Sequence, residues 1–111
     1  MTDNSNLLST DELSKYKASV EKLLDLALSS TGRGAGIAAE ILLCANDAPG
    51  WRLSISDFSH LEQPHYEAAL AVIHGRYMKE GYPSEKIEDG QALFDKMWRK
   101  WKAEEDSASK L

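Results

Sequence analysis

A chain of 111 residues and 12.3 kDa fits one domain whose single core hides roughly two thirds of the unfolded surface. Its net charge of −5, with 42% apolar and 28% charged residues, argues against a general binder of nucleic acid or anionic membrane, because both draw on concentrated Lys and Arg. No apolar run approaches the roughly 18 residues of a membrane span, residues 1–10 carry no secretory signal, and the lone Cys44 excludes an internal disulfide, so the expectation is a cytoplasmic protein without a membrane partner.

Residues 1–9 are polar and read as a disordered tail, followed by a single helical domain over 10–103 and a second disordered tail over 104–111. Thr10 suits the cap of a first helix, with Asp11 and Glu12 favourably placed beside its positive end. Leu13, Tyr16, Val20, Leu23, Leu24 and Ala27 recur at helical spacing and predict one buried face. Residues 29–34 form a break, and residues 35–45, dense in small and aliphatic side chains, predict a short buried helix that holds Cys44 as a small hydrophobe. Residues 46–50 end it, with Pro49-Gly50 suited to a type II turn.

The segment Trp51-Arg52-Leu53-Ser54-Ile55 alternates large apolar with polar residues and predicts a short extended or strand-like piece. Ser56 or Asp57 then caps a helical turn through Leu61, and Pro64 suits the first position of a longer helix to about Lys79. Tyr66, Ala69, Leu70, Val72, Ile73 and Tyr77 are expected to form its apolar face. Gly81-Tyr82-Pro83 stops it, Ser84 suits the cap of a last helix, and Ile87, Leu93, Phe94, Met97, Trp98 and Trp101 make a broad apolar stripe. Gly75 and Gly90 lie inside helical patterns and are expected to mark the crossing of the third and fourth long helices. The fold class is thus mainly α, a compact bundle of four to five helices with one strand-like segment over residues 51–55.

Three constellations bear on chemistry. Gly32-Arg33-Gly34-Ala35-Gly36 has the composition of an anion-binding loop, but it follows a helix, lacks the G-x-G-x-x-G spacing and reads as a helix–helix turn. Asp57 with His60 and Glu62 with His65 each place a carboxylate three residues before a histidine. Both pairs fall in one short segment broken by Pro64, which makes shared metal ligation awkward, so neither a metal nor a cofactor is expected. His74 reads as a partly buried structural residue, and an enzyme would need folding to gather His60, His65 or His74 with a carboxylate.

Residues 96–102 mix cations with aromatics. Met97, Trp98 and Trp101 continue the core stripe, while Arg99, Lys100 and Lys102 complement the negative end of the helix, with an exposed binding surface as the competing reading. The expected interaction surface therefore comprises Trp51, Leu53 and Ile55, which could pair with a second copy, and Trp98, Arg99, Lys100, Trp101 and Lys102. No catalytic residue is expected. The function expected is that of a small non-enzymatic interaction or accessory protein with an unknown protein partner or self-association, a homodimer among the forms considered. A DNA-associated regulator with a degenerate helix-turn-helix is the alternative, disfavoured by Asp57, Glu62 and Glu67 on the would-be recognition segment.

The runs from Gly34 to Leu43, from Trp51 to Phe58 and from Ala68 to Arg76, with the closing Trp98 and Trp101, resemble a family of short uncharacterised bacterial proteins, a domain of unknown function, over about residues 32–102. The resemblance implies a proteobacterial origin, frequent encoding on integrated or mobile elements, and a cytoplasmic setting. It implies no catalytic or ligand residue. That setting also counts against reading Ser109-Lys110-Leu111 as a peroxisomal address.

Overall fold

The first helix, α1 (Thr10–Ser29), starts one residue earlier than the sequence suggests, because Ser9 and not Thr10 is its cap. The Ser9 hydroxyl accepts the Glu12 N–H at 3.1 Å while the Glu12 carboxylate accepts the Ser9 N–H at 3.0 Å, a reciprocal pair that satisfies two otherwise open donors. The computed structural model describes residues 9–109, with side chains as far as Asp106; residues 1–8 of the expected amino-terminal tail and residues 110–111 of the expected carboxyl-terminal tail lie outside the described residues.

Three further α-helices follow, α2 (Arg33–Ala45), α3 (Gln63–Tyr77) and α4 (Gly90–Ser109), with short 3-10 turns at Ile55–His60 and Pro83–Glu85. No helix among the described residues is long and apolar enough to cross a membrane. Helix α1 buries Tyr16, Val20, Leu23, Leu24 and Ala27, as its periodicity requires, whereas Leu13 stays exposed. Helix α2 buries Ala35, Ile37, Ala38, Ala39, Ile41, Leu42 and Leu43, more of its circumference than one stripe. Helix α1 packs on both α2 and α3, and α4 contributes Phe94 and Met97 to the same core.

The expected strand-like segment is absent. Among the described residues there is no β-strand and no extended element; residues 51–54 are an irregular connector, and Ile55 opens the first 3-10 turn. From Ser54 the chain turns instead of extending: the Asp57 N–H donates to the Ser54 carbonyl at 3.0 Å, and the Ser59 hydroxyl donates to the Ser56 carbonyl at 2.9 Å. Such serine-rich sequence offers the backbone an alternative to ladder pairing. Trp51 and Leu53 alternate because both lean on the core, while Ile55 is 87% exposed.

Two other expectations change. Ser84 lies in the second 3-10 turn, its N–H donating to the Asn46 side chain at 3.1 Å, and α4 begins at Gly90, where an added Cβ would collide with the Ser84 carbonyl. Gly75 belongs to a different crossing, that of α3 with α1: a Cβ there would lie 2.7 Å from the Tyr16 ring.

Tyr16 is 1% exposed, and its hydroxyl donates to the Gly81 carbonyl at 2.7 Å. Burial pushes its pKa up to about 12, with Glu80 and Glu85 adding and Arg76 opposing. A raised folded pKa gives stability that is fully present below pH 10, where both states hold the proton, and lost as pH rises toward 12. At about 1.4 kcal/mol per unit, the loss is about 3 kcal/mol. Denaturant titrations of wild type and Tyr16→Phe across this range should therefore converge with rising pH; a constant gap would show that Tyr16 titrates as it does in the unfolded chain.

Candidate interaction surface

Helix α3 is apolar on both sides, and the two sides differ in size. Facing the core are Ala68, Ala69, Val72 and Gly75. Facing solvent are Tyr66, Leu70, Ile73 and Tyr77, exposed to 40%, 43%, 44% and 78%. The sequence assigned Tyr66, Leu70, Ile73 and Tyr77 to the inner face together with Ala69 and Val72; only those last two are buried.

The physical reason lies opposite the helix. The Tyr16 ring, tethered through its hydroxyl to the 81 carbonyl, fills the space that α3 approaches, so only a side without bulk fits against it. The large residues are turned outward as a consequence. Single exposed hydrophobics are ordinary, but these four follow a 4-3-4 spacing, which aligns them as one seam along the helix.

Neighbouring groups give the seam defined edges. Phe58 from the first 3-10 turn meets Tyr66 edge to face, with centroids 6.1 Å apart, and the Tyr77 ring stacks beside His74 at 6.4 Å. Along one side runs a groove between α1 and α3 lined by Glu12, Lys15, Glu67, Leu70, Ala71 and His74. His74 Nε2 lies 3.4 Å from Glu12 Oε2, and both side chains are half exposed, so His74 is not the partly buried residue expected. The Ser9 backbone N–H, the Ser9 hydroxyl and His74 together hold the Glu12 carboxyl below its ordinary range.

The residues expected to form an interaction surface disperse. Trp51 and Leu53 are half-buried against the core, and Ile55 stands apart on the 3-10 turn. On α4, Lys100 Nζ donates to the Ala27 and Ser30 carbonyls at 2.7 and 2.6 Å, and Trp101 Nε1 donates to the Ala27 carbonyl at 2.9 Å. Both side chains therefore clasp the end of α1. Trp101 also lies against Gly36, where a Cβ would come within 3.1 Å of its ring. Arg99 and Lys102 point outward into ion pairs with Asp95 and with Glu105 and Asp106, and Trp98 is 38% exposed.

The chemical candidates are placed as follows. Gly32 caps α2, and Arg33 Nη1 lies 3.3 Å from His60 Nε2. Among the described residues no group of three or more His, Cys, Asp and Glu is arranged to hold a metal. The two carboxylate–histidine pairs thus do not combine. Glu40 shares a groove with Arg33, Asp57, Trp101 and Glu105; burial first, then Asp57 and Glu105, raise its pKa. Burial and Glu40 push the Cys44 thiol up, which disfavours the reactive thiolate.

Fold and surface together define a small helical-bundle protein that presents one apolar helix face to solvent. The chain belongs to the family of unknown function DUF7673, which matches residues 17–102, from the middle of α1 to Lys102 and including all of α3. No curated protein and no solved structure matches the chain.

Proposed function

We propose that this is a protein-interaction or accessory domain, non-enzymatic, whose contact surface is the outer face of α3. The observation that carries this reading is the size inversion on that helix: four large apolar residues face water while two alanines, a valine and a glycine face the core. Burying a Leu or Ile side chain contributes about 1.5–3 kcal/mol, so a partner that covers the seam recovers burial that the fold itself forgoes. The nucleic-acid alternative has less support, because the outward cations Arg99 and Lys102 are already paired with carboxylates on their own helix. The resemblance to proteobacterial proteins carried on mobile elements supports a bacterial, cytoplasmic setting for such a partner.

A photo-reactive amino acid placed at Ile73 in native cells should give a discrete cross-linked protein band. The same probe at Arg99, on the outside of α4, should give none. Cross-links from Arg99 with silence at Ile73 would move the contact surface to α4 and end this reading.

A further inference from the structure

We infer that the occupant of the α3 seam is a second copy of this chain, docked antiparallel about a two-fold axis. The inference rests on the reading of α3 as a contact surface and adds the partner's identity and orientation. Two features of the seam carry it, one of spacing and one of charge.

The seam residues are symmetric about a point between Ala71 and Val72. Tyr66 and Tyr77 sit at the ends of the seam, Leu70 and Ile73 at its centre. When two such helices run in opposite directions, Leu70 falls opposite the partner's Ile73, and Tyr66 opposite the partner's Tyr77. Each aliphatic then meets an aliphatic and each ring a ring, over a contact of about 16 Å at 1.5 Å per residue. A two-fold interface requires this kind of self-complementarity, because the same patch serves both sides.

The groove beside the seam has the same symmetry in charge. Lys15 and Glu67 line one end, Glu12 and His74 the other. Because the two-fold axis runs across the helices, both grooves lie on one side of the seam. Antiparallel docking brings Glu67, on the flank of the seam, near the partner's His74 and His74 near the partner's Glu67, so each carboxylate meets a donor. A parallel pair has its two-fold along the helices, which sends the two grooves to opposite sides of the seam and leaves Glu67 and His74 without each other. For a chain of net charge −5, that local match selects one orientation.

The test is sedimentation equilibrium on the full chain from micromolar to millimolar concentration. Wild type should rise from 12.3 kDa toward twice that mass. Leu70→Asp combined with Ile73→Asp should stay monomeric and helical, with a melting temperature close to that of wild type at concentrations where wild type is itself monomeric, since both side chains are solvent-facing in the monomer. Glu67→Lys and His74→Glu should each weaken the dimer by about tenfold, because symmetry places each change in the contact twice. An equimolar mixture of those two variants should recover it. A wild type that is monomeric throughout, a dimer that survives the double aspartate change, or a mixture no tighter than its components would each overturn the proposal. Cross-links from Ile73 to a different protein, seen alongside a monomeric wild type, would leave the contact surface standing and remove only the second copy.

Discussion

Tyr16→Ala is expected to lower the unfolding free energy by about 3–5 kcal/mol, the usual cost of truncating a buried aromatic. Against a total of roughly 5–15 kcal/mol for a domain, that is enough to leave a large part of the population unfolded under mild denaturant. The ring is 1% exposed, holds the Gly81 carbonyl through its hydroxyl, and sets the face that α3 presents. Its relation to Gly75 makes the prediction specific. Gly75→Ala alone forces a Cβ to 2.7 Å from a tethered ring; overpacking costs about 1–3 kcal/mol, only partly offset by about 1 kcal/mol of helix propensity. In the Tyr16→Ala background the ring is gone, so Gly75→Ala should become neutral or stabilising. Urea titrations of the four chains measure this sign reversal directly. Additivity within about 0.5 kcal/mol would mean that the contact between residues 16 and 75 does not set how α3 docks.

The same contact explains why the sequence of α3 alone points to the wrong face. On α1 the apolar residues Tyr16, Val20, Leu23, Leu24 and Ala27 stand opposite charged ones, so periodicity has one answer and the structure follows it. On α3 both sides are apolar, and period alone cannot choose between Tyr66-Leu70-Ile73-Tyr77 and Ala68-Ala69-Val72-Gly75. The choice is made by Tyr16, 59 residues from Gly75 in the chain, and no window on α3 contains it. A usable signal was present in Gly75 itself: a glycine within a helix asks what approaches it, and the answer turns the small side inward and the seam outward. The segment 51–55 failed for another reason. A two-residue alternation requires only that Trp51 and Leu53 lean one way, and an irregular connector that runs into a 3-10 turn meets that requirement without a partner strand.

Lys100 and Trp101 should prove far more important to the fold than the basic residues beside them. Helix α1 has no cation in its own last turn, and the carbonyls at the end of a helix carry partial negative charge without an internal partner. Lys100 supplies that charge from α4, donating to the Ala27 and Ser30 carbonyls, while Trp101 donates to the same Ala27 oxygen and packs on Gly36. Lys100→Met keeps the length of the side chain but removes the charged donor, at an expected cost of about 1.5–3 kcal/mol. Trp101→Ala should cost about 3 kcal/mol, from lost ring contacts and from the Ala27 carbonyl losing one of its donors. Arg99→Ala and Lys102→Ala should stay within about 0.5 kcal/mol, since both form exposed pairs within α4. Comparable losses at residues 99 and 100 in thermal melts would contradict the clasp. In sequence these four side chains form one basic aromatic run, but helical geometry turns successive residues by about a quarter of the circumference, so neighbours in the run do different work: residues 100 and 101 fasten α4 to α1, and residues 99 and 102 keep the outer face in water.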